Sequence, residues 1–259
     1  MARKERMPSK ADSPSNYQQM AKLILDTSTW LDLAKPRIEE VLIELEQQID
    51  QKITVLLTCD IILEEWERNK KRVLEDVISS IRQHAKSAMK LADLLSKEDK
   101  AALVRIVEKY TQVQEEQEHL AQIFFSRVEK LLYESEKFKI YDQLKIDMAD
   151  RALTKQAPFH NSKNNMADAL LYFGAIEHVN QKNEIATDLI FVTSNYKEFS
   201  DPIDFTKLHE DLHKRNVHFY NNLARALKMR KEVIDLTDEY DEYRFWMWIE
   251  SEAEIARGK

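Results

Sequence analysis

The sequence predicts an α/β protein with a central parallel sheet and a large α-helical insertion. Three observations carry this prediction. Short apolar runs of strand length occur at Lys22–Leu25, Ile53–Leu57 and Asp188–Thr193, with helical sequence between them; strands alternating with helices pair in parallel. From Arg68 to about Lys155 apolar residues recur only at helical spacing. Finally, the 259 residues include just two glycines, Gly174 and Gly258, where average usage would supply roughly eighteen. An all-β chain needs glycine for turns and bulges.

Taken in order, residues 1–20 are basic and lack the apolar stretch of a signal peptide, so they read as a disordered tail. The folded domain is expected over 21–259, with the insertion at about 73–155. The first strand, Lys22–Leu25, ends in Asp26 and leads into Thr27, Ser28 and Thr29, hydroxyls suited to capping a helix. Pro36 opens a helix through about Gln51. The second strand ends at Thr58, and Asp60 is the expected N-cap of a helix carrying Ile61, Ile62, Glu64, Glu65 and Trp66.

The insertion shows helical stripes at Val73, Val77 and Ile81, at Leu103, Val104 and Val107, and at Phe124, Phe125, Val128, Leu131 and Leu132. Ser96 with Asp99 resembles a capping box, and Glu134-Ser135-Glu136 marks a second break. Two long helices folded as a hairpin are expected, followed by a third through Lys155. Their apolar stripes require a core to pack on.

After the polar loop 157–164, the helix from Asn165 to about His178 is apolar on nearly every side and therefore buried. The strand Asp188–Thr193 has an apolar centre and reads as inner and parallel. Val217–Tyr220 is a weaker strand, Asn221 and Asn222 cap a short helix to Met229, and the acidic segment from Asp238 reads as an amphipathic helix with Phe245, Trp246 and Trp248.

Composition excludes several chemistries. Isolated glycines rule out a dinucleotide-binding turn, a P-loop and a nucleophile elbow. The lone Cys59 rules out a disulfide framework and a Cys-rich zinc site, and fits a reducing cytoplasm. No apolar run approaches the ~18 residues of a membrane span, so no membrane partner is expected. With a net charge of −7, any nucleic-acid contact needs a local basic patch.

Three acids occupy related places: Asp26 after the first strand, Glu65 one turn into the helix after the second, and Asp168 one turn into the buried helix. In an open parallel sheet the strand C-termini share one edge, where ligands bind. Converging carboxylates repel unless protonated or neutralised by a cation, and oxygen ligands without Cys or His favour Mg²⁺ or Mn²⁺ over zinc. Arg68, Lys70, Lys71 and Arg72 follow Glu65 closely enough to hold a phosphate backbone. Arg151, Lys155 and Lys163 precede Asp168 and could extend that patch.

The order Leu25-Asp26-Thr27-Ser28, Ile62-Leu63-Glu64-Glu65-Trp66, Ala167-Asp168-Ala169-Leu170-Leu171 and Phe191-Val192-Thr193-Ser194-Asn195 resembles the PIN-domain nucleases. The form Asn195 to Phe199 resembles a PIN-like branch with long helical insertions. The resemblance implies a three-layer fold around the parallel sheet and metal-dependent hydrolysis of phosphodiester bonds, most often in RNA, leaving 5′-phosphate and 3′-hydroxyl ends. It maps Asp26, Glu65 and Asp168 onto the family's catalytic, metal-binding acids and Asn195 onto a fourth metal-ligand position, often Asp in the family. Glu64, Glu198 and Asp201 are additional candidates. Thr27, Arg68, Lys71, Lys163 and Thr193 are the expected substrate contacts, with Mg²⁺ or Mn²⁺ as cofactor and RNA as partner, DNA left open. Toxin-like and phage-defence roles are common in that family.

Other readings compete for the same residues. Asp26 suits a helix cap, Glu64 or Glu65 a solvated face, Asp168 a capping box with Asn165, and Asn195 a turn. Because Asn195 brings no charge, a catalytically degenerate PIN-fold module that binds nucleic acid or protein is the alternative. His209-Glu210-Asp211-Leu212-His213 also fits the H-E-x-x-H zinc-peptidase motif, which requires a helix presenting both imidazoles on one face. The helical arm and the aromatic segment could serve a homo-oligomer or a partner protein.

Overall fold

The computed structural model describes residues 20–35, 38–111, 114–160, 165–184, 187–213 and 217–233. The tail 1–19, Lys163 and the acidic aromatic segment lie outside the described residues.

Five strands form one sheet in the order β3-β2-β1-β4-β5. They are β1 (Ala21–Leu25), β2 (Thr54–Thr58), β3 (Glu136–Lys137), β4 (Asp188–Val192) and β5 (Val217–Tyr220). Every pairing is parallel, with Leu23 opposite both Leu56 and Ile190. The strand C-termini therefore share one edge. β1 is buried along its whole length, as an inner strand covered on both faces must be.

Helices join the strands. α1 (Thr27–Leu33) and α2 (Glu39–Asp50) link β1 to β2. α3 (Asp60–Ala92), α4 (Lys97–Thr111) and α5 (Gln114–Glu134) form the arm. α6 (Asp142–Leu153) and α7 (Met166–Gln181) precede β4, and the short α8 (Tyr196–Phe199) follows it. Residues 223–233 form α9, with Asn222 Oδ1 accepting from the Arg225 N–H at 3.1 Å.

The arm's root belongs to the main core. Val73 and Val77 of α3 and Phe125, Val128 and Leu132 of α5 are buried in the same cluster as the sheet. Trp66 packs on Phe125 at 5.6 Å and donates to Glu129. At the far end Leu91, Leu94 and Ile106 are exposed, so the expected packing holds at the root and not at the tip. α7 passes close to the chain after β3: a Cβ on Gly174 would meet Ile140 at 2.7 Å and Phe138 at 2.8 Å, which explains this glycine by close approach.

Two expectations are corrected. The stretch 68–155 contains a strand, β3, whose two charged residues carry no hydrophobic signal; Glu136 registers against Leu57 of β2. Cys59, not Asp60, is the N-cap of α3, and Asp60 is its first residue.

β3 is fixed by charge. Lys22, 5% exposed on β1, donates to Glu136 at 2.5 Å; His178 and Lys182 of α7 contact the same carboxylate at 2.7 and 2.5 Å. Burial pushes the Glu136 carboxyl up, but the bonds from Lys182, Lys22 and His178 outweigh it and hold it at about 2.

Candidate active site

The site lies at the carboxyl edge of the sheet. Asp26 directly follows β1; its N–H donates to the Val192 carbonyl of β4 at 3.1 Å, and its carbonyl accepts the Trp30 N–H at 3.1 Å, starting α1. The side chain is 1% exposed. Its Oδ1 accepts from the Thr29 N–H at 2.7 Å, the ordinary N-cap bond. Its Oδ2 accepts from Ser28 Oγ at 2.7 Å, Thr193 Oγ1 at 2.7 Å and the Ser194 N–H at 3.1 Å. Capping needs one such bond. The other three fix the carboxylate between the ends of β1 and β4.

Glu65 lies in the second turn of α3 and is partly exposed. Its Oε2 accepts from the Thr27 hydroxyl, which ties α3 to the end of β1. The Arg68 guanidinium, largely in solvent, stands 4.0 Å from Oε1. Its neighbour Glu64 is exposed, so of the adjacent pair Glu65 is the one directed at Asp26's surroundings.

Asp168 sits in the first turn of α7. Its Oδ2 accepts from Asn195 Nδ2 at 2.8 Å, joining the start of α7 to the end of β4. Burial raises its carboxyl; the Asn195 bond opposes this, and the negative charges of Asp26 and Glu65 add to it, leaving it at about 6. Asn165, the expected capping partner, makes no such bond and instead donates to the Pro158 carbonyl at 2.7 Å. Asp168 is thus not engaged in a capping box.

The sequence-selected residues therefore divide. Asp26, Glu65, Asp168 and Asn195 come together, although they span 170 positions of chain. Thr27 joins them through Glu65. Thr193, expected at the substrate, is fully buried; its hydroxyl donates to Asp26 and accepts the Asn195 N–H at 3.0 Å, so it orients Asp26. Glu198, on α8, is buried, 3% exposed. Asp201 accepts from the Ile203 and Asp204 N–H groups at 2.8 and 2.9 Å, a turn role. Lys71 is exposed on α3 beyond Arg68. Arg151 is directed inward, donating to the Ala157 and Asp211 carbonyls and lying 5.1 Å over Phe173, so it does not extend the basic patch. Ser194, which sequence reasoning missed, bonds Ser28 through its hydroxyl and Asp26 through its N–H; nothing in its local pattern marks it.

The zinc-peptidase motif is overturned by its backbone. Glu210–Leu212 is a single 3₁₀ turn, not a helix placing two imidazoles on one face. His209 accepts the Asp211 N–H through Nδ1 and stacks on His160 at 5.3 Å, while His213 Nε2 bonds the Leu208 carbonyl at 2.7 Å. Among the described residues no three His, Cys, Asp or Glu side chains already stand at the spacing of one metal ion. The acids at the sheet edge are coupled through charge rather than closed into a cage.

A family model for the PIN domain matches residues 23–199, more than half of the chain, from β1 to the end of α8. The chain belongs to the PIN-domain family. PIN domains are generally nucleases and typically use divalent metals; the five-stranded parallel sheet flanked by helices is consistent with their fold. The match spans Asp26, Glu65, Asp168 and Asn195 in one model. No curated protein and no solved structure matches the chain. Among the described residues no helix is long and apolar enough to cross a membrane.

The donors at this edge are oxygen atoms, the kind that hard divalent cations take. Three carboxylates and the Asn195 amide provide oxygen atoms alone, and the Asp168 carboxyl is raised first by burial and then by the charges of Asp26 and Glu65.

Proposed function

We propose that this PIN-domain protein is a metal-dependent endonuclease that hydrolyses phosphodiester bonds, most readily in RNA, with Asp26, Glu65 and Asp168 as its acids. One observation carries the reading: Asp168 is drawn out of water beside two further carboxylates, at the edge where Asp26 is held by four hydrogen bonds. Such an arrangement destabilises the fold unless a cation or a reaction makes use of it.

Asp26, Glu65 and Asp168 would hold Mg²⁺ or Mn²⁺, with the Asn195 carbonyl oxygen as a neutral donor. Bound there, the ion supplies a lowered pKa for water and neutralisation of charge on the phosphate. The protein's own contribution is placement. Thr193, Ser28 and the Ser194 N–H fix Asp26; the Thr27 hydroxyl orients Glu65; the Asn195 amide orients Asp168. Water attacks phosphorus and the bond to the 3′ oxygen breaks, leaving 5′-phosphate and 3′-hydroxyl ends. Arg68 and Lys71, exposed on α3 beside Glu65, meet the flanking phosphates electrostatically.

The test uses end-labelled single-stranded RNA, with single-stranded DNA in parallel, incubated with the protein in Mn²⁺ and then in EDTA. Cleavage in Mn²⁺ alone is expected, falling roughly 100-fold or more in Asp26→Asn and in Asp168→Asn, with circular dichroism unchanged. Activity retained by both variants contradicts the assignment. The neutral Asn195 favours a second reading, a PIN-fold module that binds RNA or protein without cutting. Retained RNA binding with no metal-dependent product on either nucleic acid would select it.

A further inference from the structure

α3 runs unbroken from Asp60 to Ala92, a rod of about 50 Å at the α-helical rise. Its second turn reaches the site through Glu65, and Trp66, Val73 and Val77 are buried along one side. The opposite side lies in solvent and carries Arg68, Arg72, Arg82, Lys86 and Lys90, all exposed. An α-helix completes five turns in 18 residues, the separation of Lys86 from Arg68 and of Lys90 from Arg72. The two lysines therefore stand on the same line of the helix as the two arginines, ~27 Å further from the site.

A solvated helix face ordinarily interleaves acids with bases. The first half of α3 does so: Lys70 pairs with Glu67 at 2.9 Å and Arg72 with Asp76 at 3.7 Å. The second half does not. From Val77 to Ala92 the sequence holds Arg82, His84, Lys86 and Lys90 and no Asp or Glu, although the chain carries a net charge of −7. Arg82, Lys86 and Lys90 follow one another at i,i+4 spacing, where like charges weaken a helix. A basic stretch of this kind on an acidic protein is the footprint of a polyanion. The exposed Glu75 and Asp76 separate it from Arg68 and Arg72, so the face consists of two basic patches.

The site at the root of the helix indicates which polyanion. Arg68, one turn past Glu65, stands 4.0 Å from its carboxylate, so a strand cut at that edge meets α3 as it leaves. At the 3.4 Å per nucleotide of one strand of a B-form duplex, ~27 Å is about eight nucleotides. A long nucleic acid reaches both patches; a very short one reaches only the first.

We propose that the solvent face of α3 is a track for the nucleic-acid backbone flanking the cleaved bond, with Lys86 and Lys90 holding phosphates remote from those at Arg68 and Arg72. The arm thereby favours long substrates over short ones. The track rests on the nuclease reading for where the strand is cut, but its binding is measured without cleavage.

Fluorescence anisotropy in EDTA follows labelled single-stranded RNAs of about 30 and about 4 nucleotides as salt rises from about 50 to about 200 mM. The variant Lys86→Gln/Lys90→Gln is compared with Lys228→Gln/Lys231→Gln, which removes the same charge from exposed positions of α9. For the long RNA, losing two phosphate contacts is expected to make the slope of log K against log salt shallower by about 1.4, with affinity down roughly 10-fold at the lowest salt. The α9 variant is expected to keep the wild-type slope, and the α3 variant to bind the short RNA as the wild type does. An unchanged slope in the α3 variant, an equal loss in the α9 variant, or a wild type that does not bind the long RNA would each overturn the track. Repeating the series in Mn²⁺ separates the two readings. Cleavage with a slope indifferent to Lys86 and Lys90 keeps the nuclease and removes the track; lysine-dependent binding without cleavage keeps the track on a module that does not cut.

Discussion

Glu136 and Asp168 are two carboxylates drawn partly out of water in one molecule, and their surroundings drive them in opposite directions. Burial raises both. At Glu136 three cationic partners outweigh it and the carboxyl falls to about 2; at Asp168 one neutral amide opposes it, Asp26 and Glu65 reinforce it, and the carboxyl rises to about 6. Glu136 pins the edge strand β3 to β1 and α7. Asp168 joins α7 to the end of β4 only through the neutral Asn195 amide. The difference separates a carboxylate that the fold uses from one that the fold tolerates, and the tolerated one lies among the residues spanned by the PIN-domain match.

Substitution should therefore change stability in opposite senses. Glu136→Gln leaves the buried Lys22 charged and short of its main partner, and is expected to cost about 3–5 kcal/mol in denaturant unfolding, the usual result of breaking a buried pair from one side. A loss below about 1 kcal/mol would mean that Glu184, 3.3 Å from Lys22, suffices, and the contrast between the two carboxylates would weaken. Asp168→Asn removes a charge that the site resists. It is expected to stabilise the metal-free protein at pH 7.5 by up to about 3 kcal/mol, from about 1.36 kcal/mol per pKa unit; destabilisation would show that Asp168 has a structural role instead.

The same contrast appears in pH dependence. The Glu136 carboxyl is lower in the folded state than its ordinary 4.5, so its contribution is complete above that value and disappears as pH falls toward 2. Asp168 is higher in the folded state than its ordinary 3.8, so its penalty develops as pH rises from about 4 to 6 and persists above. Urea unfolding of the metal-free protein across pH 2–8 should lose its acid-side slope in Glu136→Gln and its decline from pH 4 to 6 in Asp168→Asn. Profiles that both variants leave unchanged would remove the electrostatic basis of the comparison.

How legible these regions were in the sequence follows from what holds them together. β1, β2 and β4 are apolar runs buried from two sides, and hydrophobic pattern suffices to find them. β3 has two residues, both charged; it is a strand because Glu136 finds Lys22, 114 positions away, and pairwise charge across the fold has no local signature. Helix ends were blurred for a related reason. The left-handed positions after α2, α6 and α7 are occupied by Lys52, Lys155 and Asn183, with φ of 58°, 53° and 57°, where glycine is the usual signal.

At the site, order along the chain and position at strand and helix ends selected Asp26, Glu65 and Asp168. Adjacency could not separate Glu64 from Glu65, since the choice depends on which faces the Thr27 hydroxyl. Thr193 illustrates the converse: its position at a strand end suggested substrate, but the side chain points into the fold toward Asp26.

On the proposed reading, the acids around Asp168 form a site completed by a cation. The most direct measurement is the unfolding temperature of the wild type and of Asp168→Asn as Mn²⁺ is titrated from zero at pH 7.5. A ligand that binds only the folded state adds about 2.7 kcal/mol at 100 times its Kd. The wild type should start below the variant and rise with Mn²⁺, while Asp168→Asn should start higher and respond weakly. A wild type indifferent to Mn²⁺, or two proteins rising in parallel, would contradict a cation site at Asp168.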